Sequence, residues 1–434
     1  MSRYQSPGVY VEEVSSGMKP IAGVGTSTAA FIGVLPSQLF RPLTEEEKAE
    51  EKKKKTGGDE TTDTDEVSAE GPTPRVLSPA NSNNRSRKGV ALPGEGEPKL
   101  CTNFSEFIKE FGDFDVFDES SAQSEEQTVH NGHNTLAHAV YGFFNNGGTR
   151  CWVARVTTAT NAKIALDRFK EIDEIALVAF PGESNDETVR NAMLDHCEDR
   201  FLQDRFAILD PSPDAGSDQN NPLGNLRDSS YGAIYYPNIK VFDPVRKTSI
   251  PMPPSGHIAG IYARVDSERG VFKAPANEII RGALDVEKVV TKELQDGLNP
   301  KGINVIRKFG GSITVWGART LSVQDPEWQY INVRRLFLFL RKSIENGTQW
   351  VVFEPNDPAL WAKITRNITA FLTNVWLDGA LLGNTPQEAF YVQCDAETNS
   401  GAPPGQVVTK IGVAVTKPAE FVIFRISQWS GNGN

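Results

Sequence analysis

Three histidines are the first residues whose spacing could support chemistry. His130, His133 and His138 form the only histidine cluster of the chain, and His130-x-x-His133 has a spacing that could bind a metal ion. His138 falls within a predicted helix, and no cysteine or carboxylate joins the group closely. We therefore predict neither a metal site nor a cofactor at these residues.

A serine and a histidine occur together in Ser255-Gly256-His257, at the predicted start of a helix. A nucleophile elbow requires Gly-x-Ser-x-Gly, which this chain lacks. The segment instead predicts that Ser255 is the N-cap of its helix. Because paired carboxylates such as Glu12-Glu13 also show no sign of burial, we predict no catalytic residue. An α/β hydrolase-type enzyme is the less favoured alternative.

Nucleotide-binding motifs are also missing. The chain contains no Gly-Lys dipeptide, which a phosphate-binding loop requires. Residues 23–28 begin like a dinucleotide fingerprint, but Thr28 replaces the third glycine and no convincing strand precedes it. The four cysteines, Cys101, Cys151, Cys197 and Cys394, form no Cys-x-x-Cys motif, which favours reduced, buried thiols.

The composition is that of a globular protein of 434 residues, with 38% hydrophobic and 23% charged residues. Its formal net charge of -11 disfavours a general nucleic-acid binder, which normally carries a basic surface. No apolar run reaches the ~18 residues of a membrane helix, and the chain begins without a signal-peptide core. We expect no insertion into a membrane, and a protein that is made and kept in the cytoplasm or leaves it by a route that reads no N-terminal signal.

The elements that would position these residues change character along the chain. Helix and strand patterns alternate from residue 99 to 236, which is typical of an α/β layer with a mainly parallel sheet. From about residue 251 the pattern becomes α+β. The predicted fold is therefore mixed α+β and α/β. Its parts are a chain start with the first core strands (1–36), a disordered charged insertion (37–98), an α/β domain (99–250) and a core domain (251–434).

Individual elements follow from apolar periodicity and from capping and turn residues. The predicted helices are 105–111, 135–144, 162–169, 186–202, 256–267, 286–296, 328–346 and 358–377. The predicted strands are 8–14, 26–34, 151–156, 175–180, 206–210, 231–236, 304–308, 312–316, 350–354, 389–394, 407–416 and 420–426.

The insertion at 37–98 is strongly charged and almost without apolar periodicity. Residues 44–70 alone contain 11 acidic and five basic side chains. Such a segment cannot bury enough surface to offset the entropy lost on ordering. We predict a disordered, solvated loop that the fold tolerates.

The two ends of the chain are β-prone, and neither has a neighbouring hairpin partner. The N-terminal strand comprises Gly8, Val9, Tyr10, Val11 and Glu12, and the C-terminal strand comprises Phe421, Val422, Ile423, Phe424, Arg425 and Ile426. An unpaired strand is stabilised by joining another sheet edge, either within its own domain or in a neighbouring subunit. The pattern alone leaves both arrangements open.

Many short motifs resemble those of contractile tail sheath proteins, in the same order. The chain opens with Ser6-Pro7-Gly8-Val9-Tyr10-Val11-Glu12-Glu13 and later contains Gly147-Gly148-Thr149-Arg150-Cys151-Trp152-Val153 and Phe353-Glu354-Pro355-Asn356-Asp357. Further matching segments are 253–264, 269–277, 298–304, 315–321, 330–337 and 418–422. The resemblance covers nearly the whole chain except residues 37–99, and this many motifs in order are specific.

This resemblance implies a structural subunit that stacks in hexameric rings around an inner tube and contracts when a baseplate triggers it. The two terminal strands would each join the sheet of a neighbouring subunit. Both chain ends would build an inner core domain, the α/β part would face outward, and the insertion would project outside. No cofactor or nucleotide is implied.

The implied partners are further copies of the chain, the inner tube protein, and baseplate and terminal cap proteins. Nucleic acid is not among them. The subunit would end in a phage tail or in an extracellular phage-tail-like particle such as a bacteriocin. Whether sheath paralogues share the filament stays open. Among functions that are not enzymatic, the alternative is a non-contractile envelope or capsid structural protein.

The predicted helix 328–346 is rich in basic residues. We interpret Arg334, Arg335, Arg341 and Lys342 as candidates to face an acidic tube surface. The alternative is an ordinary solvated helix face or a contact between subunits.

Overall fold

A computed structural model describes residues 20–44, 46, 47, 49, 87–117, 129–211, 226–423 and 425. The predicted strand at 8–14, most of the predicted insertion, and residues 424 and 426 lie outside these ranges. The chain divides into two compact units. The large unit is Gly25–Leu336 with Lys417–Asn434, and the small unit is Met1–Val24 with Phe337–Thr416.

In chain order, the described strands of the large unit are β1 (Ala29–Val34), β2 (Gln38–Pro42), β3 (Arg87–Ala91), β4 (Lys99–Cys101), β5 (Cys151–Val156), β6 (Leu177–Ala179), β7 (Phe206–Leu209), β8 (Gly232–Tyr236), β9 (Ile239–Asp243), β10 (Thr248–Met252), β11 (Glu278–Ile279), β12 (Ala283–Val286), β13 (Ile303–Phe309) and β14 (Ser312–Trp316). Nine of them form one sheet with the order β11-β14-β13-β8-β7-β6-β1-β5-β4. The other five form two smaller sheets, β10-β9-β12 and β2-β3.

The α-helices that the structure describes in full and that carry residues of the large unit follow in chain order. They are α1 (Phe104–Phe111), α2 (Asn131–Asn145), α3 (Ala162–Phe169), α4 (Glu187–Glu198), α5 (Ser255–Glu268), α6 (Lys292–Leu298) and α7 (Ile331–Gly347). The small unit takes the second part of α7 and adds α8 (Pro358–Leu377), α9 (Pro386–Ala389), α10 (Ala396–Asn399), β15 (Phe390–Gln393) and β16 (Lys410–Val413).

The centre of the large sheet is parallel, as the alternating pattern predicts. β1 pairs in parallel with both β5 and β6, and the parallel pairing continues through β7 and β8 to β13. Every residue of β7 and β8 is buried, because a parallel sheet is covered on both faces. Antiparallel strands lie at both edges of the sheet, with β4 at one edge and β14 and β11 at the other.

Helices α2 and α5 pack against each other through glycine. A Cβ atom on Gly256 would lie 2.3 Å from the backbone oxygen of Ala139, and one on Gly260 would lie 2.4 Å from that of Phe143. Only glycine fits at both positions without moving a backbone. This close contact at Gly256 and Gly260, here called the glycine seam, fixes α5 against α2. Helix α5 also carries Asp266.

The predicted division at residue 250 does not separate the two units. β8 at 232–236 pairs directly with β13 at 303–309, so both sides of residue 250 contribute to one sheet. The predicted helix at 286–296 is also wrong in its first half. Val286 continues β12, which pairs with β9, and a helix begins only where Thr291 caps α6.

Two further predictions are corrected. The predicted strand at 350–354 is instead a short 3₁₀ helix at Gln349–Val351 followed by a turn, in which Phe353 has a φ of 70° and is fully exposed. These β-prone residues find no partner strand in the described chain. Part of the predicted insertion is ordered as well: β2 and β3 pair in antiparallel fashion, and Leu39 of β2 is buried.

Candidate functional site

The N-terminal end of the large unit is fixed by a buried ion pair. Arg335 of α7 donates to both carboxylate oxygens of Asp266 in α5, at 2.9 and 2.6 Å. The Thr26 hydroxyl donates to Asp266 at 2.6 Å, and the Thr26 carbonyl accepts from Arg335 at 2.9 Å. Two helices, α5 and α7, therefore hold the chain just before it enters β1.

The environment keeps Arg335 charged. Burial alone would lower the pKa of the Arg335 guanidinium. The interactions with Asp266 and the neighbouring Tyr262 outweigh this effect, so the pKa of Arg335 is raised. The guanidinium lies 4.6 Å from the centre of the Tyr262 ring. The side chains of Arg335 and Asp266 are only 3% and 6% exposed, so the pair is an internal tie.

The C-terminal end of the large unit has a matching clamp at Glu420. Arg319 donates from Nε to Oε1 at 2.8 Å and from Nη2 to Oε2 at 2.7 Å. Asn299 Nδ2 donates to Oε1 at 2.7 Å and the Tyr330 hydroxyl to Oε2 at 3.0 Å. Burial alone would raise the pKa of Glu420, but hydrogen bonds from Arg319, Asn299 and Tyr330 outweigh it, so its pKa is lowered.

The three residues that follow this clamp are apolar and exposed. Phe421, Val422 and Ile423 are 71%, 68% and 78% exposed. None of them belongs to a strand of this chain, and neither does Arg425, so the described part of the predicted strand at 420–426 is not formed within the single chain. Their apolar side chains are left in solvent directly after a rigid anchor.

In the small unit, residues 21–24 pack along the second part of α7. The Val24 amide donates to the Ser343 hydroxyl at 3.1 Å, and Ile21 is buried against Gly347. A groove of about 510 Å³ lies beside them. Its lining residues include no ionisable side chain and are Pro20, Ala22, Gly23, Val24, Asn346, Gly347, Gln349 and Trp350. Such a groove offers no group for acid–base or nucleophilic chemistry.

Among the described residues, the sheet of the small unit consists of two antiparallel strands, β15 and β16. A two-stranded sheet is marginal by itself. Tyr391 in β15 is 58% exposed, and within the described residues no third strand joins this sheet.

The interpretation of four basic residues as tube-facing is corrected for two of them. Arg335 is buried in its pair with Asp266. Arg334 is half-buried, with its guanidinium 3.6 Å from the Trp328 ring centre and 4.4 Å from that of Tyr231. Arg341 is exposed and Lys342 is partly exposed. Helical periodicity alone did not show which face of α7 is buried.

The histidines and the serine examined as chemical groups have structural roles. His130 Nδ1 accepts from the His133 amide at 3.0 Å and caps α2, while the ring of His133 hydrogen-bonds the Phe111 carbonyl. Among the described residues, no three histidine, cysteine or carboxylate side chains come together in a way that could hold a metal ion.

Ser255 is not the N-cap of α5; Pro254 occupies that position. The Ser255 amide and hydroxyl donate to the buried carboxylate of Asp210 at 2.8 and 2.6 Å, so Ser255 is paired with an aspartate rather than activated by a histidine. Burial raises the pKa of Asp210 to about 6 despite these bonds.

No described helix combines the length and apolar character needed to cross a bilayer.

The apolar C-terminal segment is visible in the sequence, whereas neither clamp is. Arg319 lies within a motif that carries the resemblance, yet nothing in the local pattern pairs it with Glu420, 101 positions away. The one signal in the sequence is that Glu420 is a charged residue directly before the apolar segment that begins at Phe421. Long-range pairing of this kind is set by the fold.

Comparison with known proteins places this arrangement in a family. The model for the phage tail sheath protein central domain matches residues 156–321, and that for the phage tail sheath C-terminal domain matches residues 323–428. Both the family and the fold are those of structural sheath proteins. The chain belongs to the phage tail sheath family.

Solved structures match over nearly the full length. A chain from the six-fold symmetrised baseplate of the anti-feeding prophage is 29% identical with a TM-score of 0.66, covering 98% of this chain and 99% of that one. The helical sheath of the same particle in its contracted state is 29% identical with a TM-score of 0.65 and equal coverage. The sheath complex of the extracellular contractile injection system PVC, 24% identical with a TM-score of 0.67 and 99% coverage of both chains, shows the same fold.

Curated relatives match in part. A putative prophage major tail sheath protein of Pseudomonas aeruginosa (strain UCBPP-PA14) is 27% identical over 270 residues, 58% of this chain and 65% of that protein. The tail sheath protein of Vibrio phage KVP40 is 30% identical over 210 residues, 46% of this chain and 30% of that protein. The chain thus spans less than two thirds of the length of either relative.

Proposed function

We propose that this chain is the subunit of a contractile sheath, which stacks in hexameric rings around an inner tube and shortens to drive the tube through a target envelope. Two observations together support the proposal. The chain matches sheath structures over nearly its whole length, and it leaves an apolar segment exposed directly after a rigid clamp at Glu420.

The C-terminal segment has the properties of a strand that joins another subunit. Phe421, Val422 and Ile423 are largely exposed in the single subunit, which is unfavourable for apolar residues unless a partner covers them. Addition to a sheet edge would satisfy the main chain by hydrogen bonds and bury the side chains. The two-stranded β15–β16 sheet of a neighbouring subunit is the acceptor in this proposal.

The clamps give the arms a fixed origin. Because four hydrogen bonds from three residues hold Glu420, the segment that follows leaves the large unit from a defined point. The Thr26–Asp266–Arg335 cluster does the same at the beginning of the large unit. An arm tied at its base can stay joined to its neighbour while the subunits move against each other.

The N-terminal arm of the proposal is the β-prone segment Gly8–Glu12, which lies outside the described residues. Its β-branched and aromatic composition is the support for a second exchanged strand. Contraction would draw its free energy from the repacking of subunit interfaces between two arrangements of different stability. No nucleotide or cofactor takes part in this mechanism.

The proposed partners are further copies of the chain, an inner tube protein, and baseplate and terminal cap proteins. Arg341 and Lys342 remain proposed as tube-facing residues. We propose that the core built from both chain ends lies toward the tube. The assembled sheath would belong to a phage tail or to an extracellular phage-tail-like particle.

Truncation tests the strand-exchange part of the proposal. Deletion of Met1–Val14, or truncation after Glu420, should leave a folded subunit that stays in the supernatant when full-length protein sediments as tubes. The matched control removes residues 45–84, and this variant should still sediment. Normal tubes from either arm truncation would contradict strand exchange, and loss of tubes from the control would show that the insertion is structural.

A further inference from the structure

Cys101 and Cys151 face each other across two antiparallel strands. β4 pairs with β5 in the register Lys99↔Val153, Leu100↔Trp152 and Cys101↔Cys151, so the two cysteines are directly opposed. Directly opposed side chains leave the sheet on the same face. Both are fully buried. Both cysteines are in the free thiol form.

The geometry permits a covalent bond between them. Opposed residues of an antiparallel pair have Cα atoms roughly 4.5–5.5 Å apart. A disulfide spans Cα separations of about 4.4–6.8 Å, so directly opposed residues lie within the range that this bond can bridge. We propose that Cys101 and Cys151 are a redox pair that closes into an intrachain disulfide when the chain meets a low-molecular-weight disulfide such as oxidised glutathione.

The reaction proceeds by two exchanges. One cysteine, as its thiolate, attacks the oxidised glutathione, forms a mixed disulfide and releases one glutathione thiolate. The second cysteine then attacks the protein sulfur of this mixed disulfide and releases the second glutathione. The two cysteines together lose two electrons and two protons, and one glutathione disulfide becomes two glutathione thiols.

Access to the buried pair would come from the edge of the sheet. β4 is only three residues long and is the terminal strand of the nine-stranded sheet, so it can open locally without unfolding the sheet. Burial and the hydrogen bond from Cys101 raise the pKa of the Cys151 thiol. Both properties make oxidation slow in the folded protein, with a rate set by opening of β4.

The bond would staple an exposed edge. It would tie β4 to β5, which itself lies beside the central strand β1, and would close the loop that contains α1 and α2. Cys197 lies on α4 and Cys394 follows β15 in the small unit, so neither is opposed to another cysteine across a strand pair. Oxidation should therefore select one pair among the four cysteines.

Mass spectrometry of the full-length protein after incubation with oxidised glutathione tests this proposal. We expect a loss of about 2 Da, two remaining thiols after denaturation, and one cross-linked peptide joining Cys101 to Cys151. The unfolding midpoint should rise by roughly 5 °C and return after reduction. The peptide map uses the unaltered chain, so it does not depend on any variant being folded.

Matched variants complete the test. Cys101→Ser and Cys151→Ser should abolish the 2-Da loss, whereas Cys197→Ser should retain it. Four free thiols in the folded protein, under conditions that oxidise the urea-unfolded chain, would overturn the proposal. Stable glutathione adducts at Cys101 or Cys151 without closure, or a cross-link that involves Cys197 or Cys394, would overturn it as well.

Discussion

Arg319 and Glu420 lie 101 positions apart in the chain and meet in a two-point ion pair with contacts of 2.8 and 2.7 Å. The pair is mostly buried, with side chains 11% and 19% exposed. Because Phe421 follows at once and is 71% exposed, the pair marks where the packed large unit ends and the exposed segment begins.

Glu420→Gln should weaken this anchor without creating a cavity. It removes the charge that Arg319 faces, and we expect the free energy of unfolding to fall by about 2 kcal/mol. A double-mutant cycle with Arg319→Met, measured by urea denaturation, should give a coupling energy above ~0.5 kcal/mol.

The control for this clamp is Lys308→Gln in the exposed Lys308–Asp285 pair, whose side chains are 47% and 44% exposed. This substitution should change the free energy of unfolding by less than ~0.5 kcal/mol. Additive effects of the two clamp substitutions would contradict the clamp.

Arg335→Met should be more costly, because Arg335 is almost fully buried and its loss leaves Asp266 without its cation. We expect a loss of about 3–5 kcal/mol of unfolding free energy in urea denaturation. Arg341→Met on the exposed part of the same helix should change it by less than ~0.5 kcal/mol. Equal, small effects at both positions would show that Arg335 is not an internal tie.

The glycine seam between α2 and α5 predicts opposite outcomes for two Gly→Ala substitutions. Gly256→Ala places a methyl group 2.3 Å from the Ala139 oxygen and should destabilise the protein by about 1–3 kcal/mol. Gly297→Ala in α6 meets no atom within 4 Å and should be neutral or stabilising by up to about 1 kcal/mol. Thermal unfolding of both variants checks this pair, and a harmless Gly256→Ala would refute the close packing.

Buried histidines predict sensitivity to acid. Burial lowers the pKa of His133, His196 and His257 to about 3 and that of His138 to about 4. In the unfolded chain imidazole titrates near ~6.5, so the unfolded state binds more protons as the pH falls below that value. Stability should therefore decrease from about pH 6.5 towards pH 4, by roughly 1.4 kcal/mol per pH unit for each histidine.

Two variants separate the groups that contribute to this pH dependence. His257→Gln should reduce the decrease in unfolding free energy per pH unit by the contribution of one proton. It removes one imidazole that is neutral only in the folded state. Asp210 acts in the opposite direction: its pKa, raised to about 6, stabilises the folded state at acid pH, and that contribution is lost as the pH rises through 6. Asp210→Asn should make the acid loss steeper. Urea midpoints between pH 7.5 and 4.5 measure both slopes, and unchanged slopes would contradict the assignment.

Local signals predicted much of the fold. The limits of β5, α3, β14 and α8 agree with the sequence prediction, because turn and capping residues mark them. Asp357 accepts from the Leu360 amide and Pro358 occupies the first turn of α8, so both signals lie within four residues of the helix start. The parallel centre of the large sheet followed in the same way from alternating helices and strands.

Elements decided by distant partners could not be predicted. Val286 is in a strand because β9 is available to pair with it, whereas Val352 and Phe353 are β-prone but have no such partner among the described residues. The same reason explains the candidate site. The apolar C-terminal segment was visible in the sequence, but the residues that anchor it come from three separate parts of the chain, at Asn299, Arg319 and Tyr330.

Electron microscopy of the purified full-length protein, alone and with its tube protein, distinguishes a contractile sheath from a non-contractile assembly. We expect striated hollow tubes with six-fold end views, which truncation after Glu420 abolishes while the subunit stays folded. Particles that remain monomeric in the presence of the tube protein, or filaments that keep one fixed length per subunit under every condition, would contradict a contractile sheath.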